Sequence, residues 1–276
     1  MKKQIVFNLA LIAALFTASF TASAQETPTA KKADKKEKTK KEYKERNDDW
    51  GWNTSGWGGE RVVGTGDAVT EDRDLRDFMG ISSSISADID LHQSATFKVT
   101  IEGQKNILDL LETVVTDGKL KISFKKGYSI KYKKALKIRV DAPNFAYLGM
   151  AGSGNVSSDG ALSGEKLDVF ISGSGDFNLM KLQYSDVKVS ISGSGDMNLG
   201  GTVERAELTI SGSGDLKARE LQAQSVRCRV SGSGNIACSA AKELDALISG
   251  SGDIMYSGKP ASVKKKVSGS GSIESK

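Results

Sequence analysis

The tetrapeptide Ser-Gly-Ser-Gly occurs six times between residues 172 and 271 of a 276-residue chain, each copy followed by Asp, Asn or Ser. A seventh, Ala-Gly-Ser-Gly, stands at 151–154. The opening residues Ala151, Ser172, Ser192, Ser211, Ser231, Ser249 and Ser268 are spaced by 21, 20, 19, 20, 18 and 19. Short runs alternating apolar and polar residues flank each copy. A single β-rich repeat of this length cannot bury its apolar face alone, but stacked copies can. The pattern predicts an all-β chain built as a parallel β-helix, or solenoid, of about seven coils of 18–21 residues. At ~4.8 Å per coil the rod would be roughly 30 Å long.

Parity shows what the tetrapeptide does. Leu167, Val169, Ile171, Phe177 and Leu179 share one parity, and Gly173 and Gly175 fall on it too. Strand alternation therefore runs through the tetrapeptide, with glycines inward and serines outward. Inward glycines let the wall turn a corner or come close to other backbone.

The outward residues form columns. Ser172, Ser192, Ser211, Ser231, Ser249 and Ser268 make one, and Ser174, Ser194, Ser213, Ser233, Ser251 and Ser270 a second. Asp176, Asp196, Asp215, Asn235 and Asp253 make a third, with Asn155 and Ser272 at its ends. These Ser and Asp/Asn columns are the candidate ligand-binding face. Stacked carboxylates ~4.8 Å apart in water repel by on the order of 1 kcal/mol per pair. Local Asx turns would relieve that repulsion. A cation such as calcium on Asp176, Asp196, Asp215 and Asp253 is the alternative. No cofactor is otherwise implied.

Cys228 and Cys238 align with inward apolar positions of neighbouring repeats. Buried thiols are the simpler reading, and a core disulfide the alternative. The single His, His92, lies far from both and reads as outward-facing, which argues against a catalytic thiol.

The rest of the chain divides by composition. Residues 1–24 have Lys2 and Lys3, an apolar run and Ala22-Ser23-Ala24, the pattern of a secretory signal peptide. No other segment approaches the ~20 apolar residues of a membrane span. Residues 25–59 hold a Lys-rich stretch, expected to be a solvated tether, and a segment containing all three Trp. These rings either pack on the end of the fold or contact a glycan. The overall charge of +5 resides in this tether and the signal; residues 47–276 hold 28 basic and 29 acidic residues. The folded part lacks the basic excess of a nucleic-acid reader.

Residues 60–148 read as strands, among them Phe97–Ile101, Leu120–Phe124 and Leu136–Val140, with one short helix placed in 106–115 and a turn at Asp117-Gly118. Residues 149–276 are the repeat β-helix. In the last repeat Lys265 takes an inward position, a known defence of an edge strand.

The stretch 60–81, "ERVVGTGDAVTEDRDLRDFMGI", with "VTIEGQKNILDLLETVVTDGKLKISF" and the repeated "ISGSGD", resembles the exported GIN-domain family, known as auto-transporter adhesins, head GIN domain. The resemblance implies a β-helix-like fold in an exported protein of a Bacteroidetes-type bacterium. It brings no site residues, and the chain lacks a translocating barrel.

Together these features favour an exported, non-enzymatic binding or adhesion module of the periplasm or cell surface. It would make weak multivalent contact with a glycan or envelope polymer. A periplasmic scaffold is one alternative. A polysaccharide-active β-helix enzyme is another, disfavoured because the coils are uniform and no acid–base pair stands apart. The oligomeric state is left open.

Overall fold

The computed structural model describes residues 59–276. The expected signal peptide, and the Lys-rich and Trp-containing stretch up to residue 58, lie outside the described residues. The described chain is nearly all-β, 63% of it strand, with one short helix. Its N-terminal part contributes β1 (Glu60–Val63), β2 (Ala68–Arg73), β3 (Gly80–Ser83), β4 (Asp88–Gln93), β5 (Lys98–Gln104), the helix α1 (Lys105–Leu108), β6 (Leu111–Thr116), β7 (Lys119–Phe124), β8 (Tyr128–Lys131) and β9 (Lys137–Ala142). The repeats contribute β10 (Tyr147–Met150), β11 (Asn155–Ser158), β12 (Leu162–Ile171), β13 (Asp176–Ile191), β14 (Met197–Ile210), β15 (Leu216–Val230), β16 (Ile236–Ile248), β17 (Ile254–Ser257), β18 (Ser262–Val267) and β19 (Ile273–Ser275).

The repeats stack as a parallel β-solenoid of about six turns. The seventh repeat supplies only two walls, β18 and β19. The wall before each corner aligns Ile171, Ile191, Ile210, Val230, Ile248 and Val267. The wall after it aligns Phe177, Met197, Leu216, Ile236, Ile254 and Ile273. A third wall aligns Leu162 with Leu182 and Gly201 with Leu221. Register shifts, such as that between Leu179 and Leu182, separate the second wall from the third. The inward residues of each coil, such as Val187, Val189 and Ile191, are buried against the coils on either side. A side chain so buried contributes roughly 1.5–3 kcal/mol, and the repeats multiply that gain.

The N-terminal part is continuous with this stack rather than a separate layer. β3 and β4 form a rung beneath β10 and β11, and β7 and β9 a rung beneath that. Rung order thus departs from chain order: the chain descends through β7 and β9, then returns over the rung it built first. Antiparallel strands close the bottom, β6 against β7 and β5 between β9 and β2.

The expected helix over 106–115 is only α1; its second half is β6. The β-branched run Thr113-Val114-Val115-Thr116 suits a strand. The Asp117-Gly118 turn, with φ of 53° and 67°, folds it back onto β7.

The glycines of the corners answer a steric demand along the rod axis. A Cβ on Gly193 would fall inside the carbonyl oxygen of Gly173, one coil below, and one on Gly195 inside that of Gly175. Neither glycine has a positive φ, so close approach of stacked backbone is the reason, not unusual dihedrals. The corner stays hydrogen-bonded between coils: Ser194 N donates to Gly173 O at 3.1 Å and Ser213 N to Gly193 O at 3.0 Å. Where β3 turns into β4, Ile85 and Ala87 replace the glycines. The chain beneath that corner leaves the wall for the β8 excursion, and both side chains are buried in the space.

Candidate functional site

Three features of the repeat rod bear on function: the serine ridge, the Asp/Asn column beside it, and a charged groove on the wall before the corner. The serines of both columns are exposed and repeat once per coil along the ridge. Their hydroxyls are largely free; Ser192 Oγ reaches the Ile171 carbonyl only at 3.4 Å.

The Asp/Asn column is a hydrogen-bond ladder. Asp176 Oδ1 accepts the backbone N–H of Asp196 at 2.7 Å, and Asp196 Oδ1 that of Asp215 at 2.8 Å. Asp215 Oδ1 accepts from the N–H and side-chain amide of Asn235, at 3.0 and 2.9 Å. Asn235 Oδ1 accepts from Asp253 N at 2.9 Å, and Asp253 Oδ1 from Ser272 N at 2.7 Å. The bonds run between coils instead of closing local turns. They account for a requirement met by Asp and Asn alike: an acceptor is needed, a charge is not. In this ladder Oδ1 of each residue is engaged. Among the described residues no group of three or more His, Cys, Asp or Glu side chains converges as a metal site.

The groove has a volume of about 640 Å³. Its floor is the strand backbone at Val187, Ala206, Val226 and Leu244, and its walls are two rows of outward side chains. One row reads Asp168, Lys188, Glu207, Arg227, Asp245, Lys264 in register, so the charge alternates at every coil. The other begins Lys166, Asp186, Arg205, opposite in phase to the first. Neighbouring coils pair across these rows. Arg205 Nη2 donates to Asp186 Oδ2 at 2.6 Å, Lys188 lies 3.6 Å from Glu207, and Arg227 lies 3.5 Å from Asp245, which Arg229, outside both rows, also reaches at 2.7 Å. The hydrogen bond from Arg205 holds the Asp186 carboxyl below its usual range, and that from Arg229 does the same for Asp245. In-register parallel stacking puts equivalent residues side by side, so an unvaried charged repeat would repel itself. Alternation converts that repulsion into attraction. The sequence reading missed this row, although aligning the repeats on their corners displays it.

The cysteines lie where expected, inside the coil. Cys228 and Cys238 are buried and unbonded, with their sulfurs 3.6 Å apart. The adjoining Cys238 sulfur and burial raise the Cys228 thiol well above its ordinary pKa. His92 points outward on β4, its Nδ1 2.7 Å from Asp141 Oδ1, on a rung remote in the stack from the cysteines.

This architecture is that of a β-solenoid with a repetitive polar exterior. Residues 77–260 match the family described as "Putative auto-transporter adhesin, head GIN domain", and the chain belongs to that family. Solved structures are similar over most of their length. One is described as a putative adhesin from Bacteroides fragilis, with 28% identity, TM-score 0.76 and coverage of 78% of this chain and 100% of that one. A "putative lipid binding protein" from Parabacteroides distasonis shares 28% identity at TM-score 0.68, covering 79% and 100%. A putative adhesin from Parabacteroides merdae shares 25% identity at TM-score 0.65, covering 79% and 99%. Comparison with curated proteins finds no match. No helix among the described residues is long and apolar enough to cross a membrane.

Proposed function

We propose that the chain is an exported, non-enzymatic binding module that holds a linear glycan or envelope polymer along its rod, in the periplasm or at the cell surface. The groove carries this reading, because its walls repeat once per coil and run along the stack. A polymer with repeating units can make the same weak contact at successive coils, and contacts linked in series raise avidity without any single strong site. The alternating charges leave no excess of one sign, which suits a neutral or mixed-charge chain better than a polyanion. The exposed serines offer further hydroxyl contacts along the adjoining ridge. The adhesin description of the family and the signal-like N-terminus are in keeping with this role.

A periplasmic scaffold is the second reading, and the exposed apolar side chains of β18 favour it. Val263 and Val267 are 42% and 44% exposed on the terminal strand β18.

The test is binding of the purified chain to peptidoglycan and to neutral, anionic and mixed-charge polysaccharides of graded length, with product analysis for turnover. Affinity that grows with polymer length, without turnover, is expected. Cleavage of a polymer, or no binding to any of them, would overturn the proposal.

A further inference from the structure

We propose that Cys228 and Cys238 are joined by a disulfide in the exported protein, forming a covalent strap across the inside of one coil. Cys228 is on β15, before the corner Ser231–Gly234, and Cys238 is on β16, just after it. Both face inward, are at most 1% exposed, and bring their sulfurs to 3.6 Å. A disulfide needs ~2.05 Å, so closure asks for about 1.5 Å of movement shared by two side chains.

The rest of the stack shows what this position normally holds. Its counterparts across the corner are Val169 with Leu179, Val189 with Leu199, Leu208 with Ala218, and Ala246 with Tyr256, all buried and all apolar but for the tyrosine hydroxyl. One coil alone carries a thiol on both sides of the corner. Two thiols fill the space less completely than Val with Leu, and the bond would draw the two walls together there.

The chemistry balances with a disulfide of the export compartment as oxidant, supplied by a thiol–disulfide oxidoreductase. The thiolate of one Cys attacks that disulfide and expels one of its sulfurs as a thiolate. The second Cys then attacks the mixed disulfide, forming the Cys228–Cys238 bond and releasing the oxidant's other sulfur. The two cysteines lose two protons and two electrons; the oxidant leaves as a dithiol. Burial bars the folded pair from such exchange, so the bond forms before the coil closes. The inference rests on export and is independent of polymer binding.

The test takes the full chain, denatured and reduced, and refolds it with a mixture of reduced and oxidised glutathione or with excess reductant. Free thiols are then alkylated under denaturing conditions, and intact mass is measured. The expected oxidised product is monomeric, unalkylated and two hydrogen atoms lighter than the unmodified reduced chain, whereas the product of reductive refolding carries two alkyl groups. It should melt roughly 5–10 °C above the reduced protein, as a loop of this length predicts. A chain carrying Cys228→Ala and Cys238→Ala should fold, since Ala246 and Ala218 occupy the adjoining rungs of the same columns. That variant should melt at one temperature in both buffers. Two alkylated thiols after oxidative refolding, or a disulfide that links separate chains, would overturn the proposal. The same thiol count on protein recovered from the envelope fraction of cells checks the bond in place: a closed bond supports it, and two free thiols there overturn it.

Discussion

The Asp196 side chain bonds not its own turn but the backbone of Asp215, one coil on, Oδ1 to N at 2.8 Å. The same bond recurs up the column, so each corner hands one acceptor to the next. Without it, the N–H that follows the Ser-Gly-Ser-Gly of every repeat after the first would face the corner unpaired, whereas that of Asp176 has the Gly154 carbonyl, and orphaned backbone donors are costly.

The ladder predicts that Asp196→Ala lowers unfolding free energy by about 1–2 kcal/mol, the cost of leaving the Asp215 N–H without its partner. Asp196→Asn keeps the acceptor, as Asn235 does naturally, and should stay within about 0.5 kcal/mol of the parent. Urea denaturation followed by circular dichroism checks both. Equal loss from the two substitutions would mean that the charge, not the acceptor, matters.

Glycine at the corner is the stricter requirement. Gly193→Ala forces a methyl into the Gly173 carbonyl, a backbone clash that rotamers cannot relieve. A loss of at least about 3 kcal/mol, or failure to fold, is expected. Gly160→Ala is the control, because nothing lies within 4 Å of a Cβ there; its melting temperature should barely change.

Parity and period made much of this fold legible. The inward columns, the place of the cysteines and the solenoid itself follow from Leu167, Val169, Ile171 and their counterparts 18–21 residues on. The stacking of β7 and β9 beneath β3 and β4 was hidden, because rung order there is set by long-range pairing and those rungs lack the tetrapeptide. α1 was overextended since Asn106–Val115 suits a helix locally, while the hairpin with β7 overrides it. The outward Asp was visible but its partner was not: a bond to the next coil depends on the axial offset between corners, which alternation does not encode. The charge row was legible in principle, through a change of sign at each repeat.

The charge row makes register electrostatic. Lys188→Glu sets three acids in succession, Asp168, the new Glu and Glu207, and replaces attraction on both sides with repulsion. These side chains are partly exposed, so a loss of about 0.5–1 kcal/mol is expected, shrinking as salt is raised. Inverting every charge of the row restores alternation and should recover most of it. Denaturation midpoints at low and high salt measure the difference, and equal loss at both would count against the electrostatic account.

Acid should weaken the same wall. Asp186 and Asp245 have folded pKa values below the ordinary 3.8, held down first by hydrogen bonds from Arg205 and Arg229 respectively. A depressed carboxyl contributes stability that is complete above the unfolded pKa and is lost as pH falls through the folded one. Their contribution should be constant near neutrality and decline below about pH 3.9. Asp186→Asn should remove part of that acid dependence. A denaturation series over pH decides it: an Asp186→Asn profile parallel to the parent would sink the assignment.

Lys265 interrupts the apolar inward column on the exposed strand β18. It sits in the inward column beside Ala246, its ammonium 4.6 Å from the centre of the Tyr256 ring and 3.2 Å from the Ile273 carbonyl oxygen. The charge therefore lies across the end of the core, between the exposed Val263 and Val267. A free strand edge with three apolar inward residues would invite another copy to add its own strand. Lys265→Val supplies the third and removes the charge. The variant should self-associate at concentrations where the parent does not, and sedimentation velocity over a concentration series would show it. If the two sediment alike at every concentration, Lys265 is not what guards this edge; stronger association of the parent than of the variant would instead favour the scaffold reading.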